Sequence, residues 1–266
     1  MKIMLKEIQN LLPHHPWINR IQFFDAITST NTYAKELAAQ GAPHGTVLIA
    51  DRQTGGRGRM GRTFQSPGGM GVYMTVLLRP QCPPQALMHL TCATAVAACD
   101  AVEKAVGLRP SIKWTNDLVH GGRKLAGILT ELVILPQECC AVVGIGINCC
   151  QEDSDFPEEI RNIAGSLAMA TGTPIDRARV AAALIDALCR MDETLLSGKQ
   201  TMLEAYRRNC ITLGKDISIL RADQVRYGHA ISVDEDGALV VRFNDGHTEA
   251  VSSGEVSVRG MYGYIS

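Results

Sequence analysis

Residues 55–64 read Gly-Gly-Arg-Gly-Arg-Met-Gly-Arg-Thr-Phe, which puts three arginines and four glycines into ten positions. The segment follows the apolar run 47–50, which is typical of a strand. Glycine lets the backbone approach a ligand closely, and arginine offers a planar fork of donors that suits carboxylates and phosphates. The segment therefore predicts an anion-binding loop. A solvent-exposed loop without function is the other interpretation of this composition.

The same loop contains the spacing of a dinucleotide-binding motif, at Gly56, Gly58 and Gly61. That motif requires a helix directly behind it and an acidic residue about 20 positions further on. Here the strand-like run 72–78 follows, and Arg79 stands where the acid is expected. No Gly-Lys-Ser/Thr ends the segment, so the sequence excludes both a dinucleotide fingerprint and a P-loop.

Four further motifs carry polar or charged side chains that could bind a small molecule. Each alone has a structural interpretation: a helix cap, a turn, a solvated lysine at a strand start, or close packing of strands at glycine. The motifs are Ser29-Thr30-Asn31, Lys113-Trp114-Thr115-Asn116-Asp117, Lys124-Leu125-Ala126-Gly127-Ile128-Leu129 and Gly144-Ile145-Gly146-Ile147-Asn148.

The sequence predicts the helices and strands that position these motifs. Caps and apolar spacing predict helices over 33–39 behind the 29–31 cap, over 83–106 up to Gly107, and over 174–196 with Thr173 as the cap. Strands are predicted at 111–114, 117–120, 125–135 and 140–147. Gly121-Gly122 between two of them signals an antiparallel hairpin, so the predicted class is α+β with a mixed sheet.

The pattern changes after Gly214. Short alternating stretches, separated by turn sequences such as Asn244-Asp245-Gly246, predict a small β-barrel of about 50 residues. The expected organisation is a domain over 1–212 that carries all the motifs, followed by a small barrel domain over 213–266.

Composition and charge restrict the class of protein. The 266 residues are 46% hydrophobic and 20% charged, with a net charge of −1, which gives no general attraction for nucleic acid or membranes. No apolar run of about 18 residues and no signal peptide are apparent. The nine cysteines are odd in number and lack a Cys-x-x-Cys pair, and the seven histidines are scattered. We therefore expect a reduced cytoplasmic protein without a zinc site.

Together, in this order and spacing, the arginine loop and the four motifs closely resemble those of the biotin–protein ligases, also called biotin–[acetyl-CoA-carboxylase] ligases. The resemblance spans about residues 23–266, and the family's catalytic domain is followed by an SH3-like barrel. Two positions depart from the family pattern. Phe64 stands where tryptophan is usual, and Thr115 stands where proline is usual.

The resemblance implies a two-step reaction. ATP and biotin give biotinyl-5′-adenylate and pyrophosphate, and a lysine amine on the biotin carrier domain of a biotin-dependent carboxylase then takes the biotinyl group. By the same resemblance, Lys124 bridges the biotin carboxylate and the α-phosphate, Arg57 and Arg59 close over the adenylate, and Asp117 holds Mg²⁺.

The remaining implied roles divide between the two substrates. The residues expected to bind biotin are Ser29, Thr30, Asn31, Gln53, Arg57, Gly58, Arg59, Lys124, Gly127 and Gly144. The residues expected to bind the nucleotide are Arg59, Arg62, Phe64, Asn116, Asp117, Asn148 and Arg259.

Two other functions fit parts of the pattern. A lipoate–protein ligase shares the fold and the adenylation chemistry, but the Arg-Gly-Arg loop with Lys-Leu-Ala-Gly-Ile-Leu favours biotin. A biotin-sensing transcriptional repressor needs a DNA-binding head, and segment 1–20 is too short for one and has few basic residues. We therefore expect a monofunctional ligase, a monomer or weak homodimer, that binds neither DNA nor membranes.

Overall fold

Two β-sheets and six α-helices make up the part of the chain that the computed structural model describes. It describes residues 2–136, 138–221, 224–252 and 256–260, with the backbone alone at 2, 3, 221 and 256–260. The strands are β1 (Ile21–Ile27), β2 (Thr46–Gln53), β3 (Gly71–Leu78), β4 (Ser111–Lys113), β5 (Asp117–His120), β6 (Arg123–Ile134), β7 (Cys139–Asn148), β8 (Asp216–Arg221), β9 (Gln224–Val233), β10 (Leu239–Phe243), β11 (Thr248–Val251) and β12 (Val256–Gly260).

The first sheet has seven strands in the order β1-β2-β3-β7-β6-β5-β4. Strands β1 and β2 are parallel, and every other neighbouring pair is antiparallel, so the sheet is mixed as the sequence predicts. The predicted hairpin joins β5 to β6, and Gly121 and Gly122 both have positive φ there (54° and 74°). Glycine adopts such angles without the clash that a Cβ would cause.

The helices are α1 (Lys2–Leu11), α2 (Thr30–Ala39), α3 (Leu90–Val106), α4 (Leu167–Thr171), α5 (Arg177–Thr194) and α6 (Lys199–Asn209). Ser29 caps α2 by accepting from Thr32 N at 3.4 Å, and Gly107 ends α3 in the left-handed conformation, both as predicted. The predicted start of the third helix is wrong. The Asp176 side chain accepts from Ala178 N and Arg179 N, so Asp176 is the cap and α5 begins after it rather than at 174.

Successive residues of β7 face opposite sides of the sheet, which gives the two faces different roles. Val143, Ile145 and Ile147 belong to the main core, which also contains the buried sides of α3 and α5. Val142 lies on the other face in a smaller cluster with Ala34 and Ala38 of α2. Helix α2 thus covers one end of that second face. The rest of the face carries the glycines Gly144 and Gly146.

One helical stretch of the described chain, Pro84–Val106, is long and apolar enough by composition to cross a membrane, which the sequence expectation of no such span overlooked. Most of it is buried inside the protein, as is typical of a core helix. A 3-10 turn over Pro84–Leu87 precedes α3, so the predicted helix over 83–106 is two elements. The nine cysteines all lie in the described ranges, and all are free thiols.

The second sheet is antiparallel and has five strands in the order β11-β10-β9-β8-β12. Side-chain hydrogen bonds from the main part of the chain reach the small unit that contains this sheet. Trp114 Nε1 donates to Gly237 O at 2.9 Å, and Arg207 Nε donates to Val233 O at 2.7 Å. The architecture is therefore α+β, with a small all-β unit at the C-terminal end, as the sequence predicts.

Candidate active site

A cavity of about 630 Å³ opens on the same face of the large sheet as α2. Its lining includes residues from all five predicted motifs, from the N-terminus of α2 to the Gly-x-Gly stretch of β7. The predicted site residues in the lining are Ser29, Thr30, Asn31, Gln53, Arg57, Gly58, Arg59, Arg62, Phe64, Asn116, Asp117, Lys124, Gly127, Gly144 and Asn148.

Three glycines on neighbouring strands make room for the cavity. Gly127 and Gly146 face each other in the β6–β7 register, and Gly144 lies two residues from Gly146 on the same side. A Cβ on Gly144 would lie 1.9 Å from Asn31 Oδ1, and one on Gly146 would lie 2.4 Å from Phe64 Cε1. The floor therefore has space for Asn31 and Phe64 only because these positions lack side chains.

Buried polar groups at the N-terminus of α2 form one end of the cavity. Gln53 Oε1 accepts from Thr30 N at 2.9 Å and from Thr30 Oγ1 at 3.1 Å, and Gln53 Nε2 donates to Ser66 Oγ at 3.0 Å. Thr75 Oγ1 lies 2.7 Å from both Thr30 Oγ1 and Asn31 Oδ1. These bonds fix the orientation of the donors and acceptors along an otherwise apolar sheet face.

The arginine loop is a compact hairpin rather than an irregular segment. Gly58 N donates to Arg62 O at 2.7 Å, and Phe64 N donates to Gly56 O at 3.0 Å. At its tip, Met60 adopts a left-handed conformation with φ 55°. The backbone is thus closed on itself, and its arginine side chains can span the cavity.

Two arginines tie the loop to different segments of the chain. Arg59 Nη1 donates to Asn116 Oδ1 at 3.0 Å, and Asn116 is itself held by Ile128 through Nδ2 and its backbone oxygen. Arg57 Nη1 lies 3.8 Å from Glu131 Oε1. Burial lowers the pKa of Arg59, with nearby Asp117 acting in the opposite direction. An arginine remains a cation at neutral pH even so.

Lys124 and Asp117 form an ion pair in another part of the cavity lining, with Nζ 2.6 Å from Oδ1. The two residues are close because β5 and β6 are joined by the hairpin at Gly121-Gly122, and Asp117 pairs in register with Gly127. The Lys124 side chain is 30% exposed and that of Asp117 is 16% exposed. A cation of this kind, partly shielded from water, can stabilise negative charge that develops nearby.

The other predicted residues fall in less direct positions. Asn148 lines the cavity, but its Nδ2 donates to Gly165 O at 2.9 Å, which ties β7 to the following segment. Arg259 pairs with Ser218 in the β12–β8 register, and Ser218 lines the cavity. The side chain of Arg259 lies outside the described residues.

Sequence reasoning missed part of the lining. Phe156, Ile160, Ile163 and Ala164 contribute an apolar wall, and Lys113, although within a recognised motif, had no assigned role. Segment 160–165 reaches the cavity because Lys124 N donates to Ile163 O at 2.7 Å and Gly165 N donates to Lys124 O at 2.9 Å. Such a contact across about 40 residues has no local sequence signal.

Comparison with known proteins gives two family matches. Residues 23–148 match the biotin/lipoate A/B protein ligase family, and residues 212–259 match the biotin protein ligase C-terminal domain. The bifunctional ligase/repressor BirA of Bacillus subtilis is 38% identical over 228 residues, which cover 84% of this chain and 70% of that protein. The biotin–[acetyl-CoA-carboxylase] ligase of Mycobacterium tuberculosis is 33% identical over 234 residues, with 86% and 85% covered.

A solved structure supports the same relationship. The biotin protein ligase of Aquifex aeolicus in complex with biotin and ATP superimposes with a TM-score of 0.78 at 29% identity, covering 91% of this chain and 99% of that one. The chain belongs to the biotin protein ligase family.

Proposed function

We propose that this protein is a biotin–[acetyl-CoA-carboxylase] ligase, which activates biotin with ATP and transfers it to a lysine of a biotin carrier domain. The observation that carries the proposal is the arrangement of the cavity. Buried hydrogen-bonding groups lie at one end, glycines form the floor, and Arg57, Arg59 and Lys124 lie along the walls. Biotin has an uncharged ring and a carboxylate tail, so its ring fits the hydrogen-bonding end and its tail fits the cationic walls.

The first step forms the mixed anhydride. A biotin carboxylate oxygen attacks the α-phosphorus of ATP, the bond from that phosphorus to the bridging oxygen breaks, and pyrophosphate leaves. Two anions must approach each other, so positioning and positive charge supply most of the catalysis. We assign Lys124 to the point where carboxylate and α-phosphate meet. Its ion pair with Asp117 holds the ammonium group at 2.6 Å, in a fixed place.

The second step transfers the acyl group. The neutral amine of the carrier lysine attacks the acyl carbon, AMP leaves with the electrons of the broken C–O bond, and the amine loses a proton. The adenylate must not escape or hydrolyse before the carrier docks. We assign Arg57 and Arg59 to this retention, which is supported by their separate contacts with Glu131 and Asn116.

Recognition of the biotin ring is assigned to the polar end, where Ser29, Thr30, Asn31 and Gln53 present donors and acceptors. A ureido group has the N–H donors and the carbonyl acceptor needed to hydrogen-bond these residues. The dithiolane ring of lipoate cannot do so, and a site built for hydrogen bonds rejects a ligand that lacks them. This is the feature that favours biotin over lipoate.

A magnesium ion is the one metal that the reaction implies. The described residues contain no group of three His, Cys, Asp or Glu side chains that could hold an ion alone. Magnesium commonly binds through one or two carboxylates together with water and substrate phosphates, so Asp117 beside the proposed phosphate position fits that mode. The ion would neutralise charge on the phosphates. We assign the nucleotide itself to Arg59, Arg62, Phe64, Asn116, Asp117, Asn148 and Arg259.

The same proposal covers the organisation of the chain. Residues 1–212 would form the catalytic domain and 213–266 the small C-terminal domain, which already supplies Ser218 to the cavity lining. We propose that the protein acts in the cytoplasm as a monomer or weak homodimer, and that it binds neither DNA nor membranes. Nine free cysteines support a reducing compartment.

The test is a direct assay of both half-reactions. The protein is mixed with ATP, Mg²⁺ and biotin, and pyrophosphate release is measured; a biotin carrier domain is then added and its labelling is followed by mass. Lipoate replaces biotin in a parallel reaction. We expect pyrophosphate release in the reaction with biotin but not in the one with lipoate, and a single biotin added to the carrier domain. If lipoate is used as efficiently as biotin or more so, the protein is a lipoate ligase and the proposal is wrong.

A further inference from the structure

Glu131 lies on β6 on the cavity face of the sheet, two residues beyond Leu129 and four beyond Gly127. It does not line the cavity itself. Its carboxylate stands at the border between α2 and the arginine loop, with 23% of the side chain exposed. Three side chains from two different segments converge on it.

Two of the three contacts come from α2. Lys35 Nζ lies 2.9 Å from Glu131 Oε1, and Asn31 Nδ2 donates to Glu131 Oε2 at 3.1 Å. Asn31 Nδ2 also donates to Leu129 O at 3.1 Å, and its Oδ1 lies over the bare floor at Gly144. Glu131 therefore fixes the amide of Asn31 at the polar end of the cavity.

The third contact comes from the arginine loop. Arg57 Nη1 lies 3.8 Å from Glu131 Oε1, and the Arg57 side chain is 47% exposed. This is a weaker contact than the bond between Arg59 and Asn116, because it is longer and more accessible to water. The loop is thus held firmly on one side and loosely on the other.

The charge needed for this contact is present at neutral pH. Burial raises the pKa of Glu131, but the hydrogen bonds from Lys35 and Asn31 and the charges of Lys35 and Arg57 together outweigh that effect, so the pKa is lowered overall. One carboxylate then faces two cations, Lys35 and Arg57. Lys35 anchors it to the helix, and Arg57 is the only one of the two that belongs to a segment over the cavity.

We propose that Glu131 is a positioning residue that ties Arg57 to the α2 end of the cavity and so controls how long the acyl-adenylate is retained. The proposal rests on the ligase function proposed above. Glu131 touches neither substrate in this assignment; it acts through Arg57 on the loop and through Asn31 on the floor. Loss of its charge releases the loop on its weaker side, while a neutral amide at the same place still accepts from Asn31.

The test compares Glu131→Gln with the wild type in two measurements. The first is the ratio of biotin attached to added serum albumin to biotin attached to a carrier domain, which reports escape of the adenylate. We expect this ratio to rise about two- to fivefold, the range of a partly exposed ion pair. The second is the KM for biotin in pyrophosphate release, which we expect to change less than the ratio, because an acceptor for Asn31 remains.

Three further variants separate positioning from general damage. Lys35→Gln removes the other cation of Glu131 and leaves the contact with Arg57 in place, so it should raise the ratio less than Glu131→Gln does. Glu103→Gln changes a glutamate of a surface ion pair on α3 and should also match the wild type. If Glu131 acts through Arg57, the double variant Arg57→Gln, Glu131→Gln should leak no more than Arg57→Gln alone.

Two results would overturn the inference: Glu131→Gln that retains its adenylate as the wild type does, or Lys35→Gln that leaks as much as Glu131→Gln. The first result would show that the loop does not depend on this carboxylate, and the second would show that the leak does not report the contact between Glu131 and Arg57. A wild-type protein that makes no biotinyl-adenylate would instead refute the ligase proposal. The two failures are therefore distinguishable within one set of assays.

Discussion

Lys124 Nζ lies 2.6 Å from Asp117 Oδ1, and the two side chains reach each other from neighbouring strands across the β5–β6 hairpin. The pair holds an ammonium group at the wall of the cavity before any substrate arrives. An anion that binds there does not need to order a flexible lysine. The contact therefore links the hairpin turn to the chemistry proposed for this wall.

Lys124→Ala should abolish adenylate formation and leave the fold intact. The change removes the cation at the point where two anions meet, which commonly costs on the order of 10²-fold or more in rate. Pyrophosphate release measures the effect, and thermal unfolding checks the fold. Lys104→Ala, which removes a lysine of an ion pair outside the cavity, is the control and should match the wild type. Release within about threefold of the wild type would contradict the role given to Lys124.

Asp117→Asn tests the magnesium assignment. The amide keeps the shape of the side chain and loses its charge, so a higher Mg²⁺ concentration should be needed for half-maximal pyrophosphate release. The variant also weakens the hold on Lys124, which should lower the maximal rate. A lower maximal rate with unchanged Mg²⁺ dependence would mean that Asp117 positions Lys124 and does not hold the ion.

Gly144→Ala should weaken biotin binding. The new methyl carbon would lie 1.9 Å from Asn31 Oδ1, so Asn31 must move away from the polar end of the cavity. We expect the Kd for biotin, measured by calorimetry, to rise about tenfold or more, since a buried polar group would lose its partners. The affinity for ATP should change little. Unchanged biotin affinity would show that Asn31 is not part of the ring site.

Arg59→Gly should still form the adenylate but retain it poorly. The variant loses the bond to Asn116 that ties the loop to the cavity lining. Biotin should then appear on lysines of added serum albumin at a rate well above that of the wild type. Arg52→Gly, at an exposed position on β2, is the matched control. Labelling confined to the carrier domain would leave Arg59 as a phosphate ligand only.

Stability should fall at alkaline pH because of buried thiols. Burial raises the pKa of Cys92, Cys99 and Cys149 from the ordinary value of 9.0 to about 12. Between these values the unfolded chain releases protons that the folded chain keeps, so the free energy of unfolding decreases as pH rises above about 9. The contribution of each thiol is fully present below that pH.

Denaturant unfolding of the wild type and Cys149→Ala at pH 8 and pH 10 measures this effect. The variant lacks one of the buried thiols, so its loss of stability over this range should be smaller by about 1 kcal/mol. Equal losses in the two proteins would mean that Cys149 ionises as easily in the folded state as in the unfolded chain.

The sequence predicts features whose cause is local. The cap at Ser29, the end of α3 at Gly107 and the hairpin at Gly121-Gly122 each depend on a few neighbouring residues, and the structure contains all three. Helices α1 and α6 went unpredicted. The start of α5 was placed too early because Thr173 and Pro174 resemble a helix start, whereas the Asp176 carboxylate makes the actual cap.

The residues of the site also divide into those recognisable from local sequence and those brought together by contacts between distant segments. Residues of all five motifs line one cavity. Each motif could be recognised in the sequence because its own residue types indicate its chemistry. Glu131 was missed because its importance arises from pairing with Asn31, a hundred positions earlier in the chain, and with Arg57. The apolar wall around Phe156 was missed for a similar reason. Contacts between distant segments depend on sheet register, which a single sequence does not specify.

Successive residues of β7 face opposite sides of the sheet, so the same strand forms the cavity floor and part of the main core. Gly144 and Gly146 face the cavity, and Ile145 between them and Ile147 after them belong to the main core. A ligand seated on this floor rests on the central strand of the sheet, and β7 cannot slip or open without also losing the isoleucines beneath. Occupancy of the cavity is thus coupled to global unfolding rather than to local fraying. We therefore expect a bound substrate to slow hydrogen exchange of the β7 backbone amides, at the middle of the seven-stranded sheet.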